Sequence, residues 1–252
     1  MKPLPPDAVA DVTEDRLLGQ RVIYRQPRHG FRAAIDPVLL AAAIPARAGD
    51  LLLEGGSGAG AALLCVAARV AGVRGVGIER DAGLCHLARS NAMANGWSDL
   101  AFVAADIAAS PVSGPVDHAF ANPPYHAESG TRSPSPAREA AKRLEPDMLA
   151  VWVAALARPL RHRGTLTLIL PPWLLEQTFQ AMRGASINVE TIFPIWPKQD
   201  RAARFLLVQG RRGGRSPLIM ARGLTLHGED GAFRPEARAI LREGRPLDLR
   251  DG

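Results

Sequence analysis

Between Asp50 and Met182 the chain repeats one pattern, an apolar run of strand length, a turn, and then a run of helix length. DLLLEGGSGAG leads into AALLCVAARVAG, and VRGVGIE leads into DAGLCHLARSNAMANG. LAFVAAD and VDHAFANPPY are two more strand-like runs. EPDMLAVWVAALARPL reads as a helix with Pro146 near its start, followed by the strand GTLTLILP and the helix PWLLEQTFQAM. Gly72 and Gly96 close the first two helices, and Asp81 is placed to cap the second. Strands separated by helices cannot form tight hairpins. They pair in parallel, and the helices cover both faces of the sheet. After Gly184 the rhythm changes. NVETIFPIW and ARFLLVQG are separated by only six residues, too few for a crossover helix, so this pair must be antiparallel.

The segment before this repeat is organised differently. LLGQRVIYRQPRHGFR (17–32) has β-formers around Val22–Tyr24 and turn formers at Pro27 and Gly30, which predicts a short hairpin. IDPVLLAAAIP reads as an apolar helix with Asp36 as N-cap and Pro37 in its first turn. The expected division is therefore a hairpin and helix over 1–48 that pack on a larger domain, 49–252.

Composition excludes several classes. In 252 residues, 47% are apolar and 22% charged, which is ordinary for a globular chain and unlike a disordered one. No apolar run reaches the length of a membrane span, and the amino terminus MKPLPPDAVADVTED lacks the pattern of a signal peptide. Cys65 and Cys85 form no CxxC pair and sit in Ala-rich stretches, so buried thiols in a reducing, cytoplasmic setting are expected. The scattered histidines offer no metal-ligand spacing, and no metal is expected. A net charge of +6 and a pI near 10.1 point to a polyanionic partner.

Chemistry concentrates at the strand ends. In Glu54-Gly55-Gly56-Ser57-Gly58-Ala59-Gly60 the alternate glycines Gly56, Gly58 and Gly60 lie between a strand and a helix. There the backbone can approach a ligand and helix N–H groups are free. Glu79 ends the next strand, where a carboxylate can accept from both hydroxyls of a ribose. Asp106 follows the third, within reach of an adenine amino group. Open α/β sheets bind ligands at this edge. The turn fits a dinucleotide or an adenosyl amino acid. The acid at Glu54 favours the second, because it would repel a pyrophosphate and attract an ammonium group.

The fourth strand ends in FANPPYH (120–126). Pro123 and Pro124 remove two donors and fix two φ angles, and Asn122 is pushed towards extended backbone. The result is a rigid corner with an amide on one side and Tyr125 on the other. Together, the acid-x-Gly-x-Gly-x-Gly turn, Glu79, Asp106 and Asn122-Pro123-Pro124-Tyr125 resemble the ordered motifs of class I S-adenosylmethionine-dependent methyltransferases that modify planar nitrogens. Including FRAAIDPVLLAAA, PKQDRAARFLLVQGRR and GEDGAFRPEARAIL, the chain is most similar to bacterial tRNA adenine-N6 methyltransferases acting beside the anticodon of a valine tRNA.

That resemblance implies a Rossmann-like, mostly parallel seven-stranded sheet with a late antiparallel hairpin. It implies S-adenosylmethionine as cofactor, with Glu54 and the glycines at its methionine part, Asp36 flanking that end, Glu79 at the ribose and Asp106 at the adenine. Asn122 and, by resemblance, the Pro123 carbonyl would accept from the two N–H bonds of the target amine. That favours its pyramidalisation and carries the charge that develops. Pro124 stiffens the corner, and Tyr125 would stack on an extruded base. Relatives carry Asp and a bulky apolar residue where this chain has Glu54 and Gly55.

The implied partner is nucleic acid, with tRNA as the expected substrate. Arg132, Arg138, Lys142 and Arg143 in the long 126–143 loop, Lys198, Arg201 and Arg204 in the late turn, and Arg211, Arg212 and Arg215 beyond it would meet phosphates. Two rival readings use the same motifs. A glutamine-amide methyltransferase shares the corner but carries a longer amino-terminal helical domain than the fewer than fifty residues preceding the glycine turn. A silent RNA-binding module would have kept the fold after losing cofactor affinity, with Gly55 as its sign. The sequence names neither the RNA nor the oligomeric state.

Overall fold

The computed structural model describes residues 12–29, 34–124 and 148–250. The strands β3 (Leu51–Gly55), β4 (Arg74–Glu79), β5 (Leu100–Ala104), β6 (Val116–Ala121), β7 (Leu160–Leu170), β8 (Ile187–Trp196) and β9 (Phe205–Arg212) form the body of one sheet. Two short strands, β10 (Ile219–Met220) and β11 (Leu224–Thr225), add to the outer side of β8, giving nine strands where seven were expected. The order across the sheet is β10-β8-β9-β7-β6-β3-β4-β5, with β11 also on β8. The run from β5 to β7 is parallel. β9 is antiparallel to both β7 and β8, so β8 points the same way as β7.

Both faces are covered, and the side-chain alternation shows how. Leu52, Phe120, Ile169 and Leu207 face one buried cluster, shared with α1 (Asp36–Ala43), α2 (Ala61–Arg69), α3 (Ala82–Ala94) and α6 (Pro235–Glu243). Their neighbours Leu53, Ala119, Ala121, Leu168 and Leu206 face a second, shared with α4 (Met148–Ala157) and α5 (Leu175–Gly184). Near-continuous apolar strands are what a sheet buried on both sides requires. Asp81 caps α3 as expected, its Oδ1 accepting from the Leu84 N–H at 3.0 Å. Cys65 and Cys85 are free and buried. The start of the α4 segment, including Pro146, lies outside the described residues. No helix among the described residues is long and apolar enough to cross a membrane.

The amino-terminal hairpin differs from expectation in position. Its strands are β1 (Val12–Leu17) and β2 (Val22–Pro27), paired antiparallel, so the turn falls at 18–21 and not at Pro27–Gly30. VTEDRL has too little apolar character to announce a strand. Leu18 and Gln20 also take left-handed φ angles that only Gly19 between them would suggest. The hairpin is a separate two-stranded sheet, fastened by α3. Asn95 Oδ1 accepts from the Ile23 N–H and its Nδ2 donates to the Ile23 carbonyl, at 2.9 and 2.8 Å. One helical turn earlier, Asn91 does the same for Arg25, at 2.9 and 2.8 Å. Two amides at i and i+4 thus stand in for a missing strand, satisfying backbone groups that would otherwise be left bare.

Candidate active site

The chain order jumps from β5 back to β6, which lies on the other side of β3. Crevices form at such reversals, beyond the carboxyl ends of the strands. Register places Gly55 of β3 opposite Ala121 of β6. The glycine turn and the Asn122-Pro123-Pro124 corner therefore leave the sheet side by side, about 5 Å apart as neighbouring strands are. A cavity of about 760 Å³ opens there. Asp36, Glu54, Gly56, Gly58, Glu79, Asp106, Asn122, Pro123 and Pro124 all line it. The protein thus brings together residues spread over almost ninety positions of sequence.

Glu54 is buried, and its Oε2 accepts from the Leu63 N–H of α2 at 3.0 Å. Burial pushes its carboxyl up to about 8; the Leu63 N–H opposes this and the charge of Glu79 adds to it. Glu79 has a role the sequence did not disclose. Its Oε2 accepts from the Gly58 N–H and its Oε1 from the Asp81 N–H, each at 2.8 Å. One carboxylate thus fastens the glycine turn to β4 while the remaining lone pairs face the cavity. Asp106 lies two residues beyond β5 and its Oδ1 accepts from the Ala108 N–H at 2.8 Å.

Asp36 is a correction. The N-cap of α1 is Ile35 and Asp36 is the first helical residue, making no capping bond. Its side chain belongs to the cavity wall, where burial raises the carboxyl above its ordinary value and the charge of Arg204 counters that. Gly60 lies behind the wall. It takes φ +91°, and a Cβ there would meet the Phe102 ring at 3.0 Å, so its smallness lets α2 pack against the sheet. Gly55 also faces away from the cavity. A Cβ on it would meet Ile107 and Leu156 at 3.2 Å, and those two side chains fill the space a larger residue would take.

The Asn122 side chain has no hydrogen-bond partner among the described residues, and Pro123 is buried beneath it. Tyr125 and the 126–143 loop, with Arg132, Arg138, Lys142 and Arg143, lie outside the described residues. Other lining residues carried no motif. Tyr24, Gln26 and Pro27 come from β2, Met148, Val151 and Trp152 from α4, and Arg204 and Phe205 from the start of β9. The ring of Trp152 closes over Gly56, where a Cβ would come within 2.5 Å of it. Only the Asn91/Asn95 spacing on α3 could have hinted that β2 belongs at this edge. Among the described residues no group of His, Cys, Asp and Glu could hold a metal ion.

A family model for the methyltransferase small domain matches residues 34–171, which includes the turn, all four acids and the corner. No sequence among the curated proteins matches the chain. Among solved structures, a predicted O-methyltransferase of Agrobacterium tumefaciens superposes with a TM-score of 0.70 at 22% identity, over 84% of this chain and 97% of its own. Geranyl diphosphate C-methyltransferase of Streptomyces coelicolor A3(2) gives 0.51 at 13% identity, over 69% of this chain and 73% of its own. A TehB-like methyltransferase of Corynebacterium glutamicum gives 0.50 at 16%, over 73% and 90%. At these identities the likeness is one of fold.

Proposed function

We propose, for a chain that belongs to the methyltransferase small domain family, that it is an S-adenosylmethionine-dependent N-methyltransferase whose acceptor is the N6 amino group of an adenine in tRNA. The observation that carries this is the side-by-side exit of the glycine turn and the Asn122 corner into one cavity. A methyl donor held by the first lies next to an acceptor held by the second, as a direct displacement needs.

The donor set fits this cofactor. Four carboxylates, Asp36, Glu54, Glu79 and Asp106, face one cavity. Such a wall repels a pyrophosphate and attracts a sulfonium with an ammonium group, which removes the dinucleotide alternative on electrostatic grounds. Gly58 has open space where a side chain would stand, and the buried Ser57 hydroxyl has no partner. Glu54 and Asp36 would hold the ammonium end, Glu79 the ribose and Asp106 the adenine. When bound, S-adenosylmethionine supplies an electrophilic methyl group.

The chain's own residues prepare the nucleophile. An exocyclic amine is weak because its lone pair is delocalised into the ring. The Asn122 carboxamide oxygen and the Pro123 carbonyl would accept its two N–H bonds, favouring the pyramidal form and the positive charge that follows. The prolines hold both oxygens with little reorganisation. No general base is required, since the methylated ammonium loses its proton readily. Tyr125 would stack on the base.

RNA is supported by the net charge of +6 and by Lys198, Arg201 and Arg204 on the catalytic edge. The test is methyl transfer from labelled cofactor into fractionated cellular RNA, protein and DNA, followed by nucleoside analysis. N6-methyladenosine in tRNA is expected. Label in a protein glutamine would replace this reading with the rival one, and failure to bind the cofactor at millimolar concentration would favour the silent module.

A further inference from the structure

A second cavity lies on the same edge of the sheet, two strands beyond β7. It has a volume of about 640 Å³ and is lined by Trp196, Gln199, Arg222, Thr225, Arg234 and Glu236. Because β8 runs parallel to β7, its last residue Trp196 emerges at the edge where Asn122 stands. Phe205, which lines the first cavity, pairs with Ile195, the neighbour of Trp196. Adjacent strands lie about 5 Å apart, so the two cavities are separated by little more than the first residues of β9. The turn 197–204 with Lys198, Arg201 and Arg204 runs between them.

This cavity is built, not incidental. Gly223 takes φ +84°, and a Cβ there would lie 2.2 Å from the Pro194 carbonyl oxygen and 2.8 Å from the indole nitrogen of Trp196. Only glycine lets the chain press against β8 at that point. The Trp196 Nε1 then donates to the Arg222 carbonyl at 3.1 Å. With its one polar atom satisfied, Trp196 presents carbon surface to the cavity. The far wall is tied to the near one by Lys198, whose Nζ donates to the Glu229 carbonyl at 3.1 Å. The guanidinium groups of Arg222 and Arg234 are exposed and have no acidic partner among the described residues, although Glu236 shares the cavity with them.

Two unpaired guanidinium groups beside a pinned aromatic surface match a phosphate next to a base. Gln199 and Glu236 add acceptors for ribose hydroxyls or base amino groups. We propose that this cavity binds a nucleotide of the RNA flanking the methylated one, with its phosphate on Arg222 and Arg234 and its base against Trp196. The inference rests on the RNA reading of the active site and extends it. It assigns the strand a path along the sheet edge, from the Asn122 corner across Arg204 to Trp196.

The test compares the full chain with the double variant Arg222→Ala/Arg234→Ala. Binding of unmodified tRNA and of cofactor is measured separately, the tRNA at several salt concentrations. The double variant should weaken tRNA binding at least about tenfold, as loss of charged hydrogen bonds does. It should also make the slope of log affinity against log salt shallower by about 1.4 for two phosphates lost from a single strand. Cofactor affinity should be unchanged, which shows that the variant is folded. Trp196→Phe should bind tRNA better than Trp196→Leu at high salt, where stacking outlasts charge. If wild type and double variant bind tRNA alike, with equal slopes, this site is overturned and the RNA reading stands. If the wild type binds no RNA, both fall.

Discussion

At the scale of single residues, the cavity separates groups that hold from groups that react. Asn122 has no protein partner, so Asn122→Ala leaves the fold and cofactor affinity largely as they are. It should lower kcat by about two to three orders of magnitude, the loss seen for one preorganised polar group, as steady-state kinetics with tRNA would read. A fully active variant would reduce the corner to a strand exit. Glu79 is the opposite case, because its carboxylate also carries the Gly58 and Asp81 N–H groups. Glu79→Ala should cost about 1.5–3 kcal/mol in cofactor binding and lower the melting temperature too. Calorimetric titration and a thermal melt check the two halves. Glu54 supplies a pH signature. Its folded pKa of about 8 exceeds the ordinary 4.5, so between those values the folded chain binds more protons than the unfolded one. This contribution to stability is complete below 4.5 and is lost as pH rises through 8. The melting temperature of the cofactor-free protein should fall across that window. Glu54→Gln, neutral throughout, should flatten the dependence.

At the scale of elements, the turn between β3 and α2 uses its glycines for different ends. Gly56 takes φ +63° under the Trp152 ring, with 2.5 Å for a Cβ. Gly56→Ala should destabilise the protein by about 1–3 kcal/mol from overpacking alone, beyond the backbone strain. Gly58 takes φ +54° with nothing within 4 Å of a Cβ. Gly58→Ala should therefore cost only the backbone term, about 1–2 kcal/mol, while its methyl group obstructs the cavity. Melts and cofactor titrations on both variants should show the first losing more stability and the second more affinity relative to stability. Equal profiles would mean that Trp152 moves aside. The two asparagines of α3 act at this scale too, since they hold β2 against the cavity without any strand to pair with it.

At the scale of the whole molecule, the cavity is assembled from both halves of the chain. β2 contributes Tyr24 and Gln26, α1 contributes Asp36, the parallel strands contribute the acids, and β9 contributes Arg204. A ligand that touches all of them must tighten the hairpin onto the sheet. S-adenosylmethionine should raise the melting temperature by mass action, by an amount corresponding to about 2.7 kcal/mol at a hundred times its dissociation constant. It should also slow amide exchange over 22–27. A melt shift without hairpin protection would place the cofactor on the sheet side alone.

The local code was enough for much of this. Alternating strand and helix runs determine a two-sided parallel sheet, a six-residue gap determines an antiparallel pair, and glycines and acids at strand ends mark the binding edge. These are short-range effects of period, loop length and missing Cβ atoms, and they are written in consecutive residues. Which strands become neighbours is not written there. The adjacency of β3 and β6 sets Gly56 beside Asn122. The capture of β2 by Asn91 and Asn95, the closure of Trp152 over Gly56, and the turning of Gly55 away from the cavity come from packing between distant segments. The same holds for Asp36, which reads as a cap in sequence and stands in the cavity wall, because the burial that sets its role is contributed by residues far away in the chain.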